Sequence, residues 1–410
     1  MTLPMEGIRV LEVAQFTFVP AAGAVLADWG AEVIKVEHAE RGDAQRGLVK
    51  VLGLDAVSKD SSFAPIMEGP NRGKRSIGLA LGTPEATEVL HELIRRSDVF
   101  LTNYLPGARR KMGIDVDAVR AVNPNIVYTL GAGFAYQGPE ADKGGYDATA
   151  FWARGGSGDG ATPPGADAFP GMPAGAYGDN IGGMTIAAGV SAALFTRERT
   201  GNAPVVDVSL LGVGAWTTQY SVNLALMAGG PLPKVAPSSV GAPTNPLIGG
   251  YRTSDGRWLM LSMLQPGRYW PEFCAAAGRP ELATDERFDS AEKLMANAAV
   301  AGSLVREIVA SRTKDAWVTA LEGIEGQWSV VQDAWEVGHD VSLRAVGQIA
   351  TVVDAEGVER ELVANPVQFD RCPPHLNRAP LFAEHTDEIV TELGYDEDQL
   401  LALKVAGAIT

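Results

Sequence analysis

The sequence predicts an α/β protein: a helix-covered parallel sheet followed by a second, smaller domain. Three observations predict it. Short apolar runs alternate with helix-compatible stretches through the first half, the pattern of βαβ units. A Gly/Pro-rich stretch without period, Leu224 to Pro246, then reads as a linker, and beyond it the pattern changes to a hairpin followed by helices. Finally, 410 residues with 46% apolar content exceed the usual size of one domain.

The elements follow in order. Ile8 to Val13 is a strand-like run, Pro20-Ala21-Ala22-Gly23 opens a helix-compatible stretch through Trp29, and Ala31 to Val36 reads as the next strand. Ser76 to Leu81 repeats the strand pattern. Pro84 then stands at the first position of a helix that carries Glu85 and Glu88 early and Arg95-Arg96 late, matching the preferences of the helix dipole. Val99-Phe100-Leu101 follows as a strand, Asp115 to Val122 as a helix stopped by Asn123-Pro124, and Ile126 to Leu130 as a strand. Between Gly131 and Val190 the composition shifts to 16 glycines in 60 residues. Tyr146, Phe151, Trp152, Phe169 and Tyr177 in the same segment argue for a loop shaped around a ligand, since linkers avoid such aromatic density. A helix from Asn180 to Thr200, apolar on all sides and stopped by Gly201, is expected to be buried. Val205 to Leu211 resumes a strand, and Tyr251 to Leu259 reads as a hairpin turning at Asp255-Gly256, with helices to about Leu321.

Composition excludes several functions. Lys+Arg 34 against Asp+Glu 50 gives a net charge of −16, which repels nucleic acid. Two cysteines, Cys274 and Cys372, and five histidines supply neither a disulfide framework nor a metal site, and suit a reducing cytosol. The opening MTLPMEGIRVLEV lacks the flanks of a signal peptide and no stretch approaches a membrane span, so a cytoplasmic protein without membrane or nucleic-acid partners is expected. No G-x-G-x-x-G follows the first strand and no P-loop is present, which argues against nicotinamide and nucleoside triphosphate chemistry. A G-x-S-x-G elbow and H-E-x-x-H are also absent, and Ser157 lacks the strand-to-helix context of a serine nucleophile.

One segment carries chemistry. Gly171-Met172-Pro173-Ala174-Gly175-Ala176-Tyr177-Gly178-Asp179-Asn180-Ile181-Gly182-Gly183 sets a single carboxylate, Asp179, between glycines at a helix entrance. There, backbone N–H groups and the helix dipole would keep it ionised, and a carboxylate can serve as a nucleophile. The alternative is that Asp179 is simply the N-cap, and physics alone favours the cap, because every helix needs one.

The whole set of motifs resembles a known family. Besides the Asp179 segment, it includes Glu6-Gly7-Ile8-Arg9-Val10-Leu11-Glu12, Gly30-Ala31-Glu32-Val33-Ile34-Lys35-Val36-Glu37 and Asn71-Arg72-Gly73-Lys74-Arg75-Ser76-Ile77. Asn103-Tyr104-Leu105-Pro106-Gly107, Asn123-Pro124, Arg199-Thr200-Gly201 and Glu384-His385-Thr386 complete it. In this order and spacing, to about Tyr395, the chain resembles the family III coenzyme A transferases, the family of formyl-CoA transferase and carnitine CoA-transferase.

The resemblance implies a Rossmann-like large domain of residues 1–222 completed by 331–410, a small α+β domain of 223–330, and an interlocked homodimer. It implies CoA transfer from an acyl-CoA donor to a carboxylic acid acceptor through an anhydride and a CoA thioester on Asp179, with no metal and no redox cofactor. The positions that match the family's CoA contacts are Phe16, Thr17, Phe18, His38, Lys74, Arg75, Asn103, Tyr104 and Lys111. Lys74-Arg75, basic residues just before a strand, are the expected phosphate site, with a solvated surface pair as the alternative. His38 and Lys111 depart from the arginines of relatives, and Thr17 from the glutamine of formyl-CoA transferase. The related α-methylacyl-CoA racemases carry a catalytic histidine where this chain has Tyr146, and a phenol ordinarily holds its proton too tightly for that work. A non-catalytic CoA-binding subunit of a heteromeric transferase is a further alternative, opposed by the intact glycine frame of Asp179. The stretch from Tyr146 to Gly156 is similar to relatives that handle aryl or branched hydroxy acids, for which Phe151 and Trp152 would offer apolar surface or, equally, core packing.

Overall fold

Strand β1 (Arg9–Val13) is the centre of the architecture. Leu11 and Val13 face one apolar core, Val10 and the following Ala14 face the other, and Glu12 is buried with them. Strands buried on both faces belong inside a parallel sheet. In this computed structural model, which describes residues 3–48, 50, 51, 53–56, 61–234 and 244–410, β1 pairs in parallel with β2 (Glu32–His38). The sheet continues through β3 (Arg75–Leu79), β4 (Val99–Thr102), β5 (Val127–Ala132) and β6 (Val205–Ser209), all parallel, in the order β3-β2-β1-β4-β5-β6.

That order makes β1 and β4 the two strands between which the chain reverses its direction of travel across the sheet. In open parallel sheets the crevice beyond the carboxyl ends of such strands is the usual ligand site. Here the two loops that form it are locked together: the Gln15 N–H donates to Asn103 Oδ1 at 3.1 Å and Asn103 Nδ2 donates to the Gln15 carbonyl at 2.6 Å.

One face of the sheet is covered by α1 (Phe18–Asp28), which begins two residues before the expected Pro20. The other is covered by α2 (Pro84–Arg95), capped by Thr83 accepting from the Ala86 N–H, and by α4 (Val116–Val122), which follows the short α3 (Pro106–Met112). Helix α5 spans Tyr177–Thr200 and lies against α1. A Cβ on Gly183 would come within 2.6 Å of the Ala21 side chain, and one on Gly182 within 2.3 Å of the Phe18 ring. Glycine there permits the close approach of the two helices.

Two expectations are corrected. The helix is not buried all round: Ala188, Ala192 and Phe195 lie on an exposed side, and Phe195 is 62% exposed. The strand expected to reach Leu211 stops at Ser209, because the Ser209 hydroxyl accepts from the Gly212 N–H at 3.0 Å and starts α6 (Leu210–Thr217).

The chain divides into two units, one of Met1–Ala161, Pro170–Met227 and Asp340–Thr410, the other of Thr162–Phe169 and Ala228–His339. The C-terminal segment of the first unit returns to β3, where the Ala80 N–H donates to the Ala408 carbonyl at 2.9 Å. The second unit holds β7 (Ile248–Arg252), β8 (Trp258–Ser262) and β9 (Trp328–Val330), an antiparallel sheet in the order β9-β8-β7. Tyr251, Leu259, Trp270, Phe273 and Trp317 form its core. Of the stretch expected as a linker, Leu224 to Ala228 ends a helix, Gln219–Ala228, and residues 235–243 lie outside the described residues.

Candidate active site

The loops after β1 and β4 border a cavity with about 940 Å³ of space between protein atoms, its outer part open to solvent. Gln15, Phe16, Phe18, Asn103, Tyr104, Leu105, Leu130, Tyr146, Leu210 and Asp179 line it, together with the backbone of Gly131, Ala132 and Gly133. Five of the expected site residues therefore meet in one place: Phe16, Phe18, Asn103, Tyr104 and Asp179. Apolar side chains dominate the wall, and Phe16 meets Tyr146 edge to face with ring centroids 5.5 Å apart.

Asp179 is not the N-cap. Helix α5 begins at Tyr177, its cap is Ala176 in the left-handed region at φ 57, and Asp179 is the third helical residue, with no side-chain cap bond. Gly178 makes this start possible, since a Cβ there would lie 2.5 Å from the Phe151 ring. The carboxyl makes no hydrogen bond and no ion pair among the described residues. Burial pushes it from 3.8 up to about 7, and the nearby Asp147 carboxyl adds to the shift. Desolvation and a like charge therefore oppose the ionisation that the helix entrance is expected to favour.

Asp147 went without a role in the sequence, where it is one letter of Tyr146-Asp147-Ala148. It opens a π-helical turn, Asp147–Arg154, is 8% exposed, accepts from the Ala148 N–H at 2.7 Å, and leaves Oδ2 without a hydrogen-bond partner. Burial raises its carboxyl as well. A buried carboxyl beside a half-buried one, both raised and neither with a basic partner, marks a candidate site for proton or acyl chemistry.

The remaining expected residues stand outside the cavity lining. Lys74 is 4% exposed, and its ammonium donates to Glu12 Oε2 at 2.6 Å, to the Pro20 carbonyl at 2.9 Å and to Asn71 Oδ1 at 3.3 Å. Three donors are already satisfied, so Lys74 presents none to a phosphate and is not part of a surface pair either. Arg75 is held by Glu32, Glu388 and Glu392 at 2.8–3.0 Å. His38 folds into its own turn, where Nδ1 accepts from the Glu40 N–H at 3.2 Å and Nε2 lies 2.9 Å from Arg41 Nη2. Thr17 donates to Gln45 Oε1 at 2.9 Å, and Lys111 is exposed near the end of α3.

The cations that do line the cavity are Arg109 and Lys143, neither singled out in the sequence. Lys143 pairs with Glu140 at 3.0 Å and stands 4.4 Å from the Phe134 ring centroid. Arg109 reaches the Tyr128 hydroxyl at 3.5 Å and keeps Nε without a hydrogen-bond partner. Among the described residues no three His, Cys, Asp or Glu side chains gather as metal ligands, and no helix is long and apolar enough to cross a membrane.

Comparison with known proteins agrees with this geometry. The chain is 30% identical over 405 residues to the (R)-2-hydroxy-4-methylpentanoate CoA-transferase of Clostridioides difficile, covering 97% of each. It is 31% identical over 406 residues to the cinnamoyl-CoA:phenyllactate CoA-transferase of Clostridium sporogenes, covering 97% of this chain and 95% of that one. The crystal structure of a CAIB/BAIF family protein from Brucella suis superposes with a TM-score of 0.80 at 28% identity, over 96% of this chain and all of that one. Residues 5–386 match the family described as CoA-transferase family III, and the chain belongs to that family and is a CoA-transferase.

Proposed function

We propose that Asp179 is the nucleophile of the transfer and carries the acyl group and then CoA as covalent intermediates. The observation that supports this reading is a carboxylate without partners in the wall of the cavity beyond β1 and β4. One Asp179 oxygen attacks the thioester carbonyl carbon, the C–S bond breaks, and an acyl-aspartyl anhydride and CoA thiolate result. The thiolate attacks the aspartyl carbonyl, releasing the donor acid and leaving an aspartyl-CoA thioester. The acceptor carboxylate attacks that thioester, CoA leaves again as thiolate, and its attack on the new acyl carbonyl returns acyl-CoA and free Asp179. Every bond broken is matched by one formed, and no proton crosses the cycle.

Only ionised Asp179 can attack, so kcat/KM should rise with pH through about 7 and level off above it. The wall of Phe16, Phe18, Tyr104, Leu105 and Tyr146 suits branched or aryl acyl groups, and the similarity to enzymes of 2-hydroxy-4-methylpentanoate and phenyllactate supports such acids as substrates. Arg109 and Lys143 are the cavity cations suited to the phosphates or carboxylates of these ligands. The active species is proposed to be the interlocked homodimer, a reading supported by large exposed apolar residues, Phe195, Trp216 and Tyr220. A screen of CoA donors against carboxylic acids, with intact-mass detection of a covalent adduct and hydroxylamine trapping at residue 179, tests the mechanism. Adduct on wild type and none on Asp179→Ala is the expected result. Transfer by Asp179→Ala at the wild-type rate would end it. Rapid α-deuterium exchange into a 2-methylacyl-CoA, lost in Tyr146→Phe, would instead identify a racemase.

A further inference from the structure

Among the described residues, Phe16 is one of five other than glycine with positive φ, at 63°, and it lies in the cavity wall. A bulky aromatic residue adopts that conformation only where its surroundings over-determine it. Side chains from two other loops do so. Asp43 Oδ1 accepts from the Phe16 N–H at 3.0 Å and from the Gln45 N–H at 2.9 Å. On either side, Asn103 fixes Gln15 and Gln45 fixes the Thr17 hydroxyl.

Asp43 is itself anchored. It is 3% exposed, its Oδ2 lies 2.8 Å from Lys35 Nζ, and its own N–H donates to Glu37 Oε2 at 2.8 Å. Lys35 also donates to Glu12 Oε1 and to the Ala14 carbonyl, each at 3.1 Å. A buried chain of charge thus runs from β1 and β2 to the backbone N–H of the strained residue Phe16. Replacing buried ion pairs by apolar residues often leaves stability unchanged or improves it, so stability alone gives no reason for a carboxylate here.

We propose that Asp43 is a positioning residue for CoA transfer: held by Lys35, it fixes the strained turn at Phe16 so that the Phe16 ring stands against Tyr146 in the wall of the cavity that contains Asp179. The proposal rests on the transferase reading, and deepens it by naming what sets the shape of the acyl pocket. The experiment uses the full chain and three variants, Asp43→Asn, Phe16→Gly and the double variant. Asn is isosteric and keeps the fold testable, but it is uncharged and its single acceptor oxygen cannot serve Lys35 and the Phe16 N–H through separate oxygens as Asp43 does. Asp43→Asn should lower kcat/KM for a branched or aryl acyl-CoA by about tenfold or more, and hydrogen exchange should speed up at residues 14–18 with the strands unchanged. Glycine adopts positive φ freely, so in the Phe16→Gly background, slower at the outset for want of the ring, Asp43→Asn should add less than about a twofold further loss. An equal loss in both backgrounds would show Asp43 to be a general structural residue and overturn the proposal. So would wild-type exchange at 14–18 in Asp43→Asn. Transfer by Asp179→Ala at the wild-type rate would defeat the reading of Asp179 as nucleophile instead, and the exchange measurement would still decide whether Asp43 holds the turn.

Discussion

Two groups of buried charge lie in the same unit and are built in opposite ways. Beneath α1, Glu12, Lys35, Asp43 and Lys74 form a neutral set in which each charge meets an opposite one within 3.1 Å. At the cavity, Asp179 in the wall and Asp147 near it are two carboxyls of like sign, and neither forms an ion pair among the described residues. The first group has satisfied itself with protein, and nothing is left over for a ligand. Burial costs both groups, lowering Lys74 from 10.5 to about 7 and raising Asp179 from 3.8 to about 7. Only the carboxyl pair lacks an opposite charge and is relieved by a proton or by chemistry at the carboxyl. Exposure and charge sign, read from sequence, do not separate the two; pairing does.

The comparison breaks most visibly at Asp179. Asp179→Ala should fold and yet lose transfer by about a thousandfold or more, on the order of 4 kcal/mol of barrier, if the covalent route is removed. Steady-state kinetics with a fixed donor and acceptor measures it. On the paired side the loss should fall on stability instead. Lys74→Met leaves Glu12 to Lys35 alone in a buried site and should cost about 3–5 kcal/mol of unfolding free energy, read by denaturant titration, with the KM for acyl-CoA of the folded protein unchanged. A variant of wild-type stability whose KM rises would return Lys74 to the ligand and erase the contrast.

A smaller effect tests the unpaired side through pH. The carboxyl of Asp179 is raised from 3.8 to about 7, so the folded chain holds this proton more tightly than the unfolded one. Its stabilising effect is complete below about pH 4 and is lost as pH rises through 7. Asp179→Asn stays neutral throughout. It should therefore gain stability relative to wild type above pH 7, by about 1–3 kcal/mol, with the gain fading toward pH 4 in thermal melts across that range. A constant difference at all pH values would mean that the carboxyl is not strained by its surroundings.

Much of the fold was legible because the physics that sets it is local. Apolar runs marked β1 to β5 within one or two residues, and Pro84 with its flanking charges marked α2. The start of α5 was not legible, since it depends on Ala176 in a left-handed conformation and on Gly178 pressed against Phe151, contacts made at a distance in sequence. The end of β6 at Ser209 is hidden in the sequence because its capping bond competes with a pattern that continues apolar through Leu211. Asp179 is legible from its glycine frame, Phe16, Phe18, Asn103 and Tyr104 through resemblance, and the sheet order explains why they meet: they follow strands on either side of one crevice or face it. Asp43, Asp147, Arg109 and Lys143 gave no signal of their own. A buried acid such as Glu12 inside an apolar strand was the available clue that Lys35 and Lys74 would be drawn inward.

Arg75 supplies the smallest effect and the finest distinction. It neighbours Lys74 in sequence, but its partners Glu388 and Glu392 are more than half exposed and Glu32 is partly so. Pairs of this kind contribute about 0–1 kcal/mol each and weaken with salt. Arg75→Gln should therefore destabilise the chain by no more than about 1 kcal/mol, and by less at 1 M salt than at low ionic strength. Acyl-CoA affinity should not change, because the guanidinium is committed to three carboxylates that would repel a phosphate approaching it. If the KM for acyl-CoA rises in Arg75→Gln at low salt and recovers with salt, those glutamates must give way to the ligand. The line between charges spent on protein and charges kept for substrate would then run between Lys74 and Arg75, two adjacent residues, rather than between two regions of the sheet.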